Sequence, residues 1–220
     1  MSITMNACGA ATTIQDLGRF GHLSSGVGIS GAFDQHALAL ANRLVGNHVT
    51  DAGLEALGGG VRITVNRATV AAVTGARGLI TVNEHVAARN VPVVMRSGDV
   101  LTIAHPTAGL RSYVPGPHAT YFNHDALTVL TSNEYEVSSH SDRIGVRFIG
   151  PALERVPGLE LPSAPMMRGA IQVPPDGAPV MLGPDHPVTG GYPVVAVTVR
   201  SSVDAAAQFT PGQIVRFTLA

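Results

Sequence analysis

Ser97-Gly98-Asp99-Val100-Leu101-Thr102-Ile103 and Pro211-Gly212-Gln213-Ile214-Val215-Arg216-Phe217 decide the fold class. Each is a tight turn followed by a short alternating run. Side chains of a strand point to opposite faces in turn, so this alternation marks half-buried β structure. The same style recurs outward from them, in Val61-Arg62-Ile63-Thr64-Val65 and over 68–73, 79–82, 91–95, 126–130, 145–148, 180–182 and 194–199. Glycine (25) and proline (15) separate these runs every few residues, as turns between antiparallel strands require. Helical spacing is clearest over 34–45, where Ala37, Leu38, Ala41, Leu44 and Val45 share a face and Gly46-Asn47 ends the run. A second, shorter helix is expected over 51–57, stopped by Gly58-Gly59-Gly60. The expected class is mainly β with a few short helices, and the two similar turn-strand units point to two related lobes.

Composition excludes several function classes. All 14 basic residues are arginine, and the chain contains no lysine. That removes a P-loop lysine, a Schiff-base lysine and a biotin attachment site. Net charge is −1 and no basic patch with interleaved aromatics occurs, so nucleic acid is not an expected partner. Charged residues make up 13%, about half of the ~25% typical of globular domains. So few charges suit a protein that buries surface against another subunit. Cys8 is the only cysteine, which fits a reducing compartment. The sequence shows no basic n-region with a long apolar run at its start and no apolar stretch long enough for a membrane helix. The expectation is a cytoplasmic protein with no membrane association.

Polar residues gather in a few glycine-punctuated stretches. In Thr12-Thr13-Ile14-Gln15-Asp16-Leu17-Gly18-Arg19, Arg19 can clamp a carboxylate or phosphate with two parallel donors. Asp16 can act as a base, and Gln15 supplies an amide beside it. An ion pair between Asp16 and Arg19 that merely fixes the loop is the competing reading. Ser30-Gly31-Ala32-Phe33-Asp34 opens the 34–45 helix, where free amides favour an anion; plain capping by Ser30 or Asp34 competes. Ser138-Ser139-His140-Ser141-Asp142-Arg143 makes a poor Ser-His-Asp set, because triads assemble from distant segments. Arg143 remains a candidate oxyanion or carboxylate ligand. In Gly169-Ala170-Ile171-Gln172-Val173-Pro174-Pro175-Asp176-Gly177, prolines hold Gln172 and Asp176 on a stiff loop. Thr189-Gly190-Gly191-Tyr192-Pro193 lets backbone approach a ligand closely. Tight turns are the competing reading for both. His118 and His124 lie six apart on an uncertain segment, and the nine histidines show no metal-ligand spacing, so no metal is expected.

The ordered set T-x-Q-D-x-G-R, S-G-A-x-D, A-N-R-L-x-G-N, S-D-R-x-G, G-A-I-Q-V-P-P-D-G and T-G-G-Y-P resembles the KipA family. That family is also known as allophanate hydrolase subunit 2, as the C subunit of the bacterial 5-oxoprolinase, and as the second half of the urea carboxylase carboxyltransferase domain. The match runs from about Thr12 to the C-terminus. It implies two cyclophilin-like β-barrel lobes, residues 1–114 and 115–220. Relatives carry several dozen further residues after a segment like Gly109-Leu110-Arg111-Ser112-Tyr113. Here Val114 leads straight into Pro115-Gly116-Pro117-His118, so the resemblance implies a first lobe shorter than the family's, whether by a natural deletion or because the sequence as given lacks a segment.

The resemblance further implies a subunit of an ATP-dependent amidohydrolase that opens a cyclic or ureido amide, 5-oxoproline or allophanate. A KipI-like chain, and in one case a LamB/YcsF-like chain, would complete it. One alternative is the carboxyltransferase component of a urea carboxylase-type enzyme, with biotin supplied only by a separate carrier. Another is a regulatory binding module of a KipI–KipA type complex. Within the enzyme reading, Gln15, Asp16, Arg19, Asp34 and Arg143 are the candidate catalytic residues. Ser30, Gly31, Gln172, Asp176, Thr189, Gly190, Gly191 and Tyr192 are the candidate substrate-binding residues.

Overall fold

A computed structural model describes residues 3–105, the backbone of 113–115, residue 122, and residues 126–159 and 161–218. Two compact units result, Met1–Leu17 with Gln35–Ala108, and Gly18–Asp34 with Gly109–Ala220. The second unit thus takes in residues 18–34 from the N-terminal part of the chain. His118, His124 and 116–117 fall outside the described residues.

The first unit contains β1 (Ile3–Cys8), β2 (Ala11–Gln15), α1 (Gln35–Leu44), β3 (Gly53–Leu57), β4 (Val61–Val65), β5 (Thr69–Ala71), β6 (Ile80–Val82), β7 (His85–Ala87), β8 (Val93–Met95) and β9 (Val100–Ile103). Five strands form one antiparallel sheet in the order β1-β4-β9-β6-β7, while β2-β3 and β5-β8 make separate pairs. Val65, Ile80, Met95 and Leu101 centre its core. The alternation of Val61-Arg62-Ile63-Thr64-Val65 is realised: Val61, Ile63 and Val65 are buried and Arg62 faces water. Helix α1 buries Asn42 rather than an aliphatic residue. Its amide donates to Asp51 O at 2.7 Å and so fixes the following turn.

The expected helix over 51–57 is a strand instead. Gly53 opens β3, which pairs with β2 in the register Ile14↔Leu54 and Gln15↔Gly53. A β-carbon on Gly53 would lie 2.8 Å from Leu38 Cδ1, so close approach to α1 selects glycine there. Seven residues with a glycine third among them do not repay helix nucleation when a strand partner is at hand.

The second unit contains β10 (Tyr113–Pro115), α2 (Ala126–Ser132), β11 (Glu134–Val137), β12 (Gly145–Ile149), β13 (Ala164–Pro165), β14 (Ala170–Gln172), β15 (Val180–Leu182), β16 (Thr189–Gly190), β17 (Val194–Thr198), α3 (Arg200–Ala206) and β18 (Ile214–Arg216). Its main sheet runs β10-β17-β14-β15-β12-β11-β18, with β13-β16 as a separate pair. The expected strand over 126–130 is helical, because Ala126 and Leu130 are buried four residues apart on one face. Thr131 Oγ1 and Asn133 Nδ2 donate back to Leu127 O and Val129 O, which closes that helix. The core is aromatic at its centre: the Phe217 ring meets Tyr135 and Phe148 edge-on, at centroid distances of 5.6 and 5.1 Å.

The fold is therefore mainly β with three short α-helices and one 3-10 turn, Leu23–Ser25, among the described residues, as the sequence leads one to expect.

Candidate functional site

The polar groups of the second unit converge on residues 28–34. Ser30 has φ of 56°, a left-handed conformation uncommon outside glycine, and Gly31 follows at 86°. The reason lies in distant partners. Ser30 Oγ donates to Asp185, a short contact across 155 positions of sequence. Asp185 also receives Arg143, Nε to Oδ2 at 2.7 Å and Nη2 to Oδ1 at 3.3 Å. Arg143 Nη2 then reaches Gly31 O at 2.7 Å and closes the ring. Asp185 N–H donates to Arg143 O at 3.0 Å and Gly183 N–H to Ile144 O at 2.8 Å, so the turns after β15 and before β12 hold the two charges in register. Gly183 is needed for this: a β-carbon there would lie 2.4 Å from Arg143 O.

A second arginine grips the next two peptides. Arg168 Nη1 donates to Ala32 O at 3.3 Å, and Nη2 donates to Phe33 O and to Asp204 Oδ1, the latter at 3.1 Å. Its guanidinium also lies over the Phe33 ring, 5.9 Å from the centroid. Asp34 accepts from Gln208 Nε2 at 2.8 Å. Three successive carbonyls, Gly31 to Phe33, thus each face an arginine.

The electrostatics follow. Partial burial pushes the Asp185 carboxyl up, but hydrogen bonds from Arg143 and Ser30 and the charges of Arg143 and Arg19 outweigh this and hold it below the usual carboxylate range. Arg19 itself is exposed; its N–H donates to Ile29 O at 2.7 Å and its guanidinium approaches Gly28 O at 3.4 Å.

Gln172 is the centre of another cluster in the same unit. It is buried, and Nε2 donates to Tyr192 O at 3.2 Å and touches Met166 Sδ at 2.9 Å. A β-carbon on Gly190 would lie 2.9 Å from Gln172 Nε2, which explains the glycine. Thr189 and Gly190 pair with Pro165 and Ala164, leaving Gly191 and Tyr192 exposed beyond the strand end. Asp176 sits in the turn after β14, where Oδ1 accepts Ala178 N–H at 3.1 Å. It lines an open hollow of about 360 Å³ with Glu154, Arg155 and Pro157.

The sequence-expected residues therefore divide. Arg19, Ser30, Gly31, Asp34 and Arg143 lie in one region of the second unit. Gln172, Gly190 and Tyr192 meet around one amide. Gln15 and Asp16 belong to the first unit, where Gln15 ends β2 and donates to Thr13 Oγ1 at 3.2 Å. Asp142 accepts the amides of Ile144 and Gly145, and Ser141 that of Arg147, so the Ser-Asp-Arg stretch is turn architecture. Among the described residues no group of three His, Cys, Asp or Glu could hold a metal, and no helix is long and apolar enough to cross a membrane. Asp185, Arg168, Asp204 and Gln208 do not stand out in the sequence. Their signal there is weak: a lone acid inside the turn-forming Gly183-Pro184-Asp185-His186-Pro187.

Known proteins resemble the whole chain. The family model of the carboxyltransferase domain, subdomains A and B, matches residues 25–115 and 113–219, in two segments that meet at 113–115. The 5-oxoprolinase C subunit of Escherichia coli is 26% identical over 273 residues, covering 95% of this chain and 88% of that protein. Its Haemophilus influenzae counterpart is 28% identical over 268 residues, covering 93% and 87%. The E. coli match spans 273 aligned positions, more than this chain's 220 residues, so part of that protein's aligned length has no counterpart here. The crystal structure of the Kluyveromyces lactis urea amidolyase superposes with a TM-score of 0.92 at 23% identity, covering 99% of this chain and 18% of that one. Motif order, fold and family match agree, and the chain belongs to the family of carboxyltransferase domains, subdomains A and B, that includes the 5-oxoprolinase C subunits.

Proposed function

We infer that the chain is one subunit of an ATP-dependent amidohydrolase that opens a cyclic or ureido amide, with 5-oxoproline or allophanate as the substrate class. The supporting observation is the end-to-end similarity to two 5-oxoprolinase C subunits, which covers most of both partners. A KipI-like chain, and for 5-oxoproline a LamB/YcsF-like chain, completes the enzyme in the cytoplasm. ATP supplies the phosphoryl group that turns an inert amide carbonyl into a better electrophile.

Gly58-Gly59-Gly60 is the glycine run that would be the natural phosphate cradle, and its geometry does not fit one. A β-carbon on Gly59 would lie 2.2 Å from Ala104 O, and Gly60 N–H already donates to Ile103 O at 2.8 Å. No step is therefore assigned to ATP within this run. The residues that suit substrate are Arg19, whose exposed guanidinium matches a carboxylate, and the loop 190–192, whose backbone rests on the buried Gln172.

A second reading has its own support. The urea amidolyase of Lachancea kluyveri is 36% identical over 107 residues, 48% of this chain and 6% of that protein. Under it the chain is a carboxyltransferase component, and biotin arrives on another protein because this chain has no lysine to carry it.

Reconstitution decides between them. The chain is mixed with its KipI-like and LamB/YcsF-like partners, and ATP-dependent release of glutamate from 5-oxoproline is measured, with ureido substrate in parallel. No turnover there, with carboxyl transfer from a carboxybiotin carrier to urea, would establish the second reading. Tight partner binding with neither activity would assign a regulatory role.

A further inference from the structure

Gln172 sits where the β14–β17 ladder breaks register. Ile171 opposes Ala196 but Gln172 opposes Val194, so Val195 is the extra residue of a β-bulge. A bulge bends the strand and re-aims the side chains beside it. Gln172 is only 7% exposed, yet half of its amide is unused. Tyr192 O can only accept, so the NH2 end must face it, and the Met166 sulfur meets that same end. The amide oxygen is turned away from both, and no donor among the described residues meets it. Nor is this oxygen sealed in; it opens to solvent.

A second observation lies beside it. Packing against Gln172 and Met166 explains Gly190, but nothing comparable explains Gly191. Its φ is not positive, and a β-carbon there would find only Leu161 O within 4 Å, at 3.7 Å. The fold has room for a side chain that the sequence withholds. Such a glycine leaves space for another group to approach the backbone closely.

We propose that the Gln172 oxygen and the bare face of Gly191 form a subsite for the N–H of a planar amide: the ring N–H of a lactam or the inner N–H of a ureido acid. The proposal rests on the amidohydrolase reading given above. A neutral acceptor has nothing to offer a carboxylate or phosphate oxygen, so this subsite reads the nitrogen of the substrate and not its anion. A lactone presents a lone pair where the N–H belongs, and a buried acceptor left unpaired rejects it.

The reconstituted complex carries the test, with binding read by competition in the absence of ATP. Two pairs of probes are compared. One is 5-oxoproline with the lactone that has oxygen in place of the ring N–H. The other is allophanate with malonamate, which has CH2 in place of the inner N–H. Whichever amide binds, the parent should prefer it over its analogue about 10-fold or more. Gln172→Met keeps the volume and removes the amide, so it should weaken the amide probe by about the same factor and bring the preference close to unity. Gly191→Ala should keep its melting temperature and weaken the amide probe about 10-fold or more, because the methyl takes the space of the ligand. A parent without the preference overturns the proposal. So does a Gln172→Met variant that weakens both members of a pair alike, since Gln172 would then only hold Tyr192 in place. Unchanged affinity in Gly191→Ala overturns it too, and decides the matter if Gln172→Met does not fold. A lower melting temperature in Gly191→Ala has the same force, because the glycine would then serve the fold. In all these cases the amidohydrolase reading stands. A parent complex that binds neither amide overturns both.

Discussion

Arg143 and Asp185 meet through two hydrogen bonds, 2.7 and 3.3 Å, across 42 positions of sequence, and the same arginine holds the Gly31 carbonyl at 2.7 Å. The guanidinium that the sequence offered as an oxyanion ligand is thus engaged by a carboxylate and a peptide. A group so held orients the 30–31 turn whatever else it does. This makes the pair a good place to separate architecture from chemistry.

Replacing Asp185 by Asn removes the charge and one acceptor but keeps the shape. The side chains of Arg143 and Asp185 are 24% and 35% exposed, so solvent screens part of the loss. We expect about 1–2 kcal/mol of destabilisation, below the cost of breaking a fully buried pair. The pH dependence has a definite sign. The folded-state pKa of Asp185 is depressed, so its contribution is present above the unfolded value near ~4 and is lost as pH falls through the folded value. Urea unfolding between neutral and acidic pH checks this: the difference between parent and Asp185→Asn should shrink toward the acid end.

Gly59→Ala tests whether the glycine run is closed. The new methyl would sit 2.2 Å from Ala104 O, at a backbone φ of 70°. Strain and overlap together should destabilise the protein by about 2–4 kcal/mol. A variant with an unchanged melting temperature would mean that the run has room for a ligand after all.

Tyr135 is fully buried, donates to Pro151 O at 3.1 Å, and burial pushes its phenol up to about 12. Its ionisation should therefore come late in an ultraviolet titration, well above the ordinary phenol value. The raised folded pKa also means that its contribution to stability is whole below the unfolded value of about 10 and is lost as pH rises through the folded one. Tyr135→Phe should remove that late step and cost about 1 kcal/mol through the lost hydrogen bond.

Arg19→Lys separates binding from framework. Arg19 is exposed; its guanidinium makes a long approach, 3.4 Å, to Gly28 O and acts on Asp185 by charge. Melting temperature should hardly move, while turnover of the assembled complex should fall about 10- to 100-fold if the guanidinium fork clamps a substrate anion. A clear stability loss with normal turnover would return Arg19 to the framework.

Period-two alternation was enough to place strands at 61–65 and 100–103, because each such run has one side that must leave water whichever strands it pairs with. Motif order was enough to place the chain in its family. The 51–57 and 126–130 segments were not decidable this way. Both are short, and neighbours settled them: β2 drew Gly53–Leu57 into a ladder, and burial of Ala126 with Leu130 selected a helix. The charges were least legible of all. Sequence named Ser30, Asp34 and Arg143 but not the Asp185, Arg168 and Gln208 that hold this region together. Their separations run from 36 to 174 positions, and no local pattern encodes such pairings. Periodicity reports which faces leave water, a property of each segment by itself; which carboxylate meets which guanidinium depends on strand register and turn geometry that exist only once the second unit has folded.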